Sequence, residues 1–127
     1  MFAQRAGMHP HERGKFSEDI AAEFLTRRGY SILARNYRVN RKEIDIVAQR
    51  GRTIAFIEVK ARAGAGYGHP SEAITWKKRR EIAYAARAWL ARNPLPADCE
   101  LRFDAVSVVW KGGSWSVEHA ENAWHAD

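Results

Sequence analysis

The chain has 127 residues, 46% of them hydrophobic, a formal charge of +6 and a single cysteine, Cys99. That length fits one domain able to bury its own core, and the apolar content excludes wholesale disorder. One cysteine excludes an internal disulfide and no run approaches the roughly 18 apolar residues of a membrane span, so a soluble, cytoplasmic protein is expected. The basic balance favours a polyanionic partner, of which nucleic acid is the commonest.

Residues 1–13, with His9-Pro10-His11, read as a flexible arm, residues 14–118 as a single domain, and residues 119–127 as a frayed tail. Helical spacing begins near Lys15: Phe16, Ile20 and Phe24 step by four, Ala21 and Leu25 widen the stripe, and Gly29 is the expected stop. Strands are expected over residues 30–37, 44–48 and 53–62, the last two joined by a turn at residues 49–52. Gly64, Gly66 and Gly68 then make a flexible loop. Thr75 is placed to cap a long helix running to Arg92, with Ile82, Ala85, Ala86, Trp89 and Leu90 as its apolar stripe. A valine-rich strand over residues 101–110 turns at Gly112-Gly113 into a last strand, residues 115–117. Helix, three strands, helix, two strands implies an α/β or α+β domain, a mixed sheet flanked by helices.

Acidic residues stand inside two of these strands, in Glu43-Ile44-Asp45-Ile46-Val47 and Phe56-Ile57-Glu58-Val59-Lys60. A buried carboxylate is costly unless it is paired or bound to a cation; on a surface strand it simply faces water. A two-residue or four-residue turn sets Asp45 opposite Phe56, with Glu58 diagonal to it on the same face. A three-residue turn with a bulge sends the two carboxylates to opposite faces. On one face, their mutual repulsion would be relieved by a hard divalent cation, Mg²⁺ or Mn²⁺, with the Val59 carbonyl as a further oxygen ligand. Lys60 then points into the same site, placed to orient a water or neutralise charge on a phosphate. The plainer alternative is a surface ion pair of Glu58 and Lys60 beside a solvated Asp45.

The stretches GKFSEDIAAEFLTRRGY, ARNYR, EIDIVA, FIEVKAR, GHPSEAI and RFDAVSV follow one another between Gly14 and Val109. In that order they resemble the PD-(D/E)XK nuclease superfamily and, more closely, the YraN family of small bacterial endonuclease-like proteins, related to archaeal Holliday junction resolvases. The resemblance implies a restriction-endonuclease-like α/β fold and a divalent-metal site. It carries the family's acidic strand residue onto Asp45, its Glu-x-Lys onto Glu58 and Lys60, and its first-helix glutamate onto Glu18. It also implies structured DNA as substrate and a possible homodimer. Lys42 stands where relatives commonly place a glycine, which bears on the turn entering that strand.

Lys77, Lys78, Arg79 and Arg80 crowd the start of the long helix, against its dipole; Tyr84 and Arg87 continue the stripe. Such a face suits a phosphate backbone, and Lys77, Lys78, Arg80 and Arg38 are the expected nucleic-acid contacts, with Arg35 a further one. The alternative is a solvated helix face. Asp104, between Phe103 and Ala105, is expected to satisfy buried donors. The five histidines are too scattered for a zinc site, and the five tryptophans, Trp76 among them, are expected in the core or at an interface rather than as a base-stacking platform. A non-catalytic nucleic-acid-binding protein and an adaptor for an acidic partner remain the competing functions, but neither requires carboxylates facing a polyanion.

Overall fold

A computed structural model describes residues 10–63 and 68–125 of the chain. The element order is α1 (Pro10–Arg27), β1 (Ser31–Val39), β2 (Lys42–Arg50), β3 (Thr53–Ala63), a 3-10 turn (Pro70–Ala73), α2 (Trp76–Arg92), β4 (Glu100–Lys111) and β5 (Ser114–Trp124). The strands form one sheet in the order β1-β2-β3-β4-β5, with β3 and β4 parallel and all other neighbours antiparallel. The parallel pair needs a crossover, and α2 supplies it. This is an α/β domain with a mixed sheet between two helices, on the restriction-endonuclease-like plan.

The two helices cover opposite faces. On the α2 side Ile54 and Phe56 of β3 meet Ile82, Ala85, Ala86 and Trp89. On the α1 side Ala55, Ile57 and Val59 meet Ala21 and Leu25. Alternation along β3 thus feeds both cores, as expected of a central strand buried on both faces. Among the described residues no helix is long and apolar enough to cross a membrane.

Several boundaries differ from the sequence expectation, most by one or two residues. Helix α1 starts at Pro10, not near Lys15, so part of the expected arm is helical; proline suits a first turn, where its missing N–H has no helical acceptor. Residues 1–9 of that arm, and residues 64–67 of the glycine loop, lie outside the described residues. The β2–β3 hairpin closes on Gly51-Arg52, with Arg50 opposite Thr53 and Gly51 at a φ of 61°. That register is two residues away from the expected one, and a shift of two keeps every side chain on its face. Strand β2 begins at Lys42 because Asn40 and Arg41 carry the positive φ of the preceding turn, so no glycine is needed there.

The last strand is the largest departure. It runs to Trp124, eleven residues instead of three, and residues 119–124 of the expected frayed tail belong to the sheet. Ala120 and Trp124 bury their side chains in the α2-side core. Between them the Asn122 N–H donates to Asp104, and Glu121 pairs with Arg50.

Helix α2 matches its expected limits. Thr75 Oγ1 accepts the Lys78 N–H at 3.1 Å, and the Asn93 N–H returns to the Leu90 carbonyl. Thr75→Ala removes that cap and is expected to cost about 1 kcal/mol, a fall of roughly 3–5 °C in Tm by calorimetry.

Candidate metal and nucleic-acid site

The β2–β3 ladder stops at Ile46 opposite Ile57. One residue further the strands would pair Asp45 with Glu58, but there the alternation of β2 breaks. Ile46 lies in the α1-side core whereas Ile44 lies in the α2-side core, although a regular strand would put both on one face. Asp45 sits at the twist between them. Its carboxylate turns toward β3 and accepts the Val59 N–H at 2.8 Å, taking the place of a ladder carbonyl. The N–H and C=O of one strand residue point to the same edge, so the Val59 carbonyl also faces this gap.

Glu58 follows the alternation of β3 onto the α2 side. Both acids are buried, Asp45 at 9% and Glu58 at 3% exposure, so the plainer reading of a solvated Asp45 does not hold. Burial pushes Glu58 up to about 8, and the neighbouring Asp45 charge pushes the same way. Asp45 is raised as well, mainly by burial, against the bonds from Val59 and Glu58 that favour its charged form. Oε1 of Glu58 is buried with no hydrogen-bond partner among the described residues. A polar atom left so is costly and fits an oxygen ligand awaiting a cation.

Two cations face the pair. Lys60 Nζ lies 3.5 Å from Glu58 Oε2, with its side chain 42% exposed, so it reaches from the carboxylate to solvent. Lys78, in the first turn of α2, favours the charged forms of both acids. It was expected as a phosphate contact; here it also balances the carboxylates. Glu18 approaches from α1: burial and the Asp45 charge push it up to about 7, while Asn36 and Arg35 oppose them. Asn36 holds this position in the left-handed region, at a φ of 52°, which asparagine tolerates better than most residues. Sequence reading passed over Asn36, whose only signal was an asparagine inside a strand.

No three His, Cys, Asp or Glu side chains form a ready cation cage among the described residues. The donor set still fits Mg²⁺ or Mn²⁺, which commonly take one or two carboxylates and complete the shell with water and substrate oxygens. Asp45, Glu58 and the Val59 carbonyl are the residues that would hold it.

Around this centre the basic residues divide. Arg35 pairs with Asp19 at 2.7 Å and approaches Glu18 at 3.8 Å, and Arg38 pairs with Glu43 at 3.0 Å. These lie on an open cleft of about 580 Å³ between α1 and β1 that Glu18 also lines. Arg79 is turned inward to the Ile74 and Ser71 carbonyls. Lys77 and Arg80 are exposed and have no carboxylate partner among the described residues.

Asp104 lies on the other face, toward α1, level with Ile57. It accepts hydrogen bonds from Arg102 Nε and Nη2 at 3.1 and 2.9 Å and from the Asn122 N–H at 2.9 Å, and His119 Nε2 lies 2.9 Å from it. Burial pushes its pKa up, but these bonds outweigh burial and hold it below the usual carboxylate range. Its role is the structural one expected.

Fold and site together define an α/β domain of restriction-endonuclease-like architecture, with two buried carboxylates where its central strands part. The chain belongs to the uncharacterised protein family UPF0102, whose model matches residues 17–108. That span contains Glu18, Asp45, Glu58, Lys60, Lys78 and Asp104. The chain is 45% identical over 125 residues to a UPF0102 protein of Chlorobium phaeobacteroides, covering 93% of this chain and 97% of the relative. It is 43% identical over 124 residues to one of Prosthecochloris aestuarii, with the same coverage. A third, of Geobacter metallireducens, is 42% identical over 116 residues, 91% of this chain and 94% of the relative.

Proposed function

We propose that the protein is a divalent-metal-dependent endonuclease that hydrolyses phosphodiester bonds in structured, including branched, DNA. The observation that carries this reading is the Asp45–Glu58 pair: two buried acids across a gap, both raised, with one oxygen lacking a donor among the described residues. A bound Mg²⁺ or Mn²⁺ would supply polarisation of the phosphate and of an attacking water. Lys60, half exposed beside Glu58, orients that water and offsets negative charge on the phosphate. Glu18, pushed up to about 7, holds or releases a proton near neutral pH. Lys77, Lys78, Arg80 and Arg38 hold the DNA backbone. A homodimer would present two such sites to the paired strands of a branch, and a cytoplasmic setting matches the lone Cys99.

The test is calorimetric titration of Mn²⁺ into the wild type and Glu58→Ala, with and without a four-way DNA junction. Binding to the wild type that disappears in the variant is expected. No Mn²⁺ binding by the wild type, even with DNA present, would sink the metal-dependent reading and leave a non-catalytic DNA-binding protein.

A further inference from the structure

Among the described residues large apolar side chains are mostly buried, and the most exposed of them is conspicuous. Trp76, the first residue of α2, is 66% exposed, while Trp89 and Trp124 are 5% exposed. Its indole is not loose. The Arg79 guanidinium stacks on it at 5.0 Å from the ring centroid and also lies 5.9 Å from the Trp124 ring. Arg79 is fixed in turn by its hydrogen bonds to the Ile74 and Ser71 carbonyls, at 3.0 and 3.1 Å. A braced, solvent-facing indole is a preorganised stacking surface, which a mobile one is not.

Charge on the same flank shows what would lie there. At 3.6 residues per turn Trp76, Arg80 and Arg87 fall within about 40° of one another around α2. Arg80 and Arg87 are exposed, and neither has a carboxylate partner among the described residues, in contrast to Arg27, Arg35, Arg38, Arg50 and Arg52. The three side chains span about 16 Å along the helix, the length of a few nucleotides. An aromatic face followed by unpaired cations suits a single strand, whose bases expose their π-faces while its phosphates meet the cations. A continuous duplex keeps its bases stacked on one another and offers Trp76 none.

We infer that Trp76 stacks on an unpaired nucleobase of DNA, with Arg80 and Arg87 taking the adjoining phosphates. The preferred ligand is therefore DNA that contains a single-stranded stretch. This rests on the nucleic-acid reading above and narrows it.

The test is binding under a metal chelator, so that it does not depend on cleavage. An oligothymidylate strand and a blunt duplex with the same number of phosphates are titrated into wild type, Trp76→Ala, Trp76→Phe and Arg80→Ala. Trp76→Ala is expected to lose about tenfold in affinity for the single strand and less than about twofold for the duplex. Trp76→Phe keeps most of the affinity and loses most of the tryptophan quenching seen with the strand. Arg80→Ala weakens both and lowers the salt dependence. Equal losses of Trp76→Ala on both DNAs, or none on either, would overturn the stacking role while DNA binding stands. Failure of the wild type to bind either DNA overturns it together with the nucleic-acid reading. An oligouridylate strand, as a further arm, tests the choice of DNA: binding at least as tight as oligothymidylate overturns it.

Discussion

Glu58→Gln is expected to stabilise the metal-free protein at alkaline pH and, in the same variant, to remove its response to Mn²⁺. Glu58 ordinarily titrates near 4.5 and is pushed up to about 8 in the fold, by burial first and by Asp45 second. Its contribution to stability is therefore full below 4.5 and is lost as pH rises through 8. Glu18, raised to about 7, acts in the same direction over the lower part of that range. Glutamine has the shape of the protonated acid and cannot ionise, and its amide still donates to Asp45. At about pH 9 the variant should exceed the wild type by on the order of 3 kcal/mol, roughly 10 °C or more in Tm, and the gap should close by about pH 4. Mn²⁺ reverses the order. It needs ionised ligands, so it binds the wild type more tightly as pH rises, and saturation adds a few kcal/mol that the variant cannot gain. Cleavage, if assayed on a forked DNA, should fall by on the order of 10³-fold. Identical melting curves for the two proteins at about pH 9 without metal would contradict the buried, mutually repelling pair on which the site is built.

That pair shows how far sequence reasoning reaches. Alternation and a short turn were enough to bring Asp45 and Glu58 to neighbouring positions across a hairpin. The exact register was not needed, because the actual one differs by two residues and a shift of two preserves the face. Nothing in the pattern of Ile44, Asp45 and Ile46 announces that the strand twists there and sends the two isoleucines to different cores. The twist is a tertiary event, stabilised by the Val59 amide on another strand. The same holds for β5. Glu121 and Asn122 read as part of a polar tail, because their bonding partners, Asp104, Arg102, Arg50 and Tyr30, come from strands and a loop far off in sequence. Trp76 escaped for a different reason: as a residue type tryptophan is mostly buried, and only its place on the far flank of α2 leaves it in water.

Asp104→Ala should be the most destabilising change among those considered, and it should leave the metal site alone. Asp104 is fully buried and its partners Arg102 and His119 are nearly so, at 13% and 10% side-chain exposure. Alanine takes from the Arg102 guanidinium the nearer of its two carboxylates, leaving only the half-exposed Glu121 at 3.7 Å, and leaves the Asn122 N–H without an acceptor at the irregular point where Asn122 takes a φ of 53°. Breaking a buried pair on one side typically costs 3–5 kcal/mol, here about 10–15 °C in Tm. Arg102 also bonds the Tyr30 hydroxyl at 2.6 Å, so the damage spreads toward the end of α1. Because the folded Asp104 is held below its ordinary 3.8, its contribution is present above that value and is lost as pH falls through the folded one. The deficit of the variant should therefore persist at neutral pH and shrink only as pH falls below 3.8, the reverse of the Glu58 profile. Amide exchange should quicken first in residues 119–124, which Asp104 ties to β4. The two faces of the sheet separate this network from the cation site: Asp104 looks toward α1, Glu58 toward α2. Mn²⁺ affinity of Asp104→Ala, measured well below its Tm, should stay within about twofold of wild type. A tenfold loss there would mean that β4 transmits the orientation of Asp104 to its neighbour β3, and that the role assigned to Asp104 as a tether for β5 is too small.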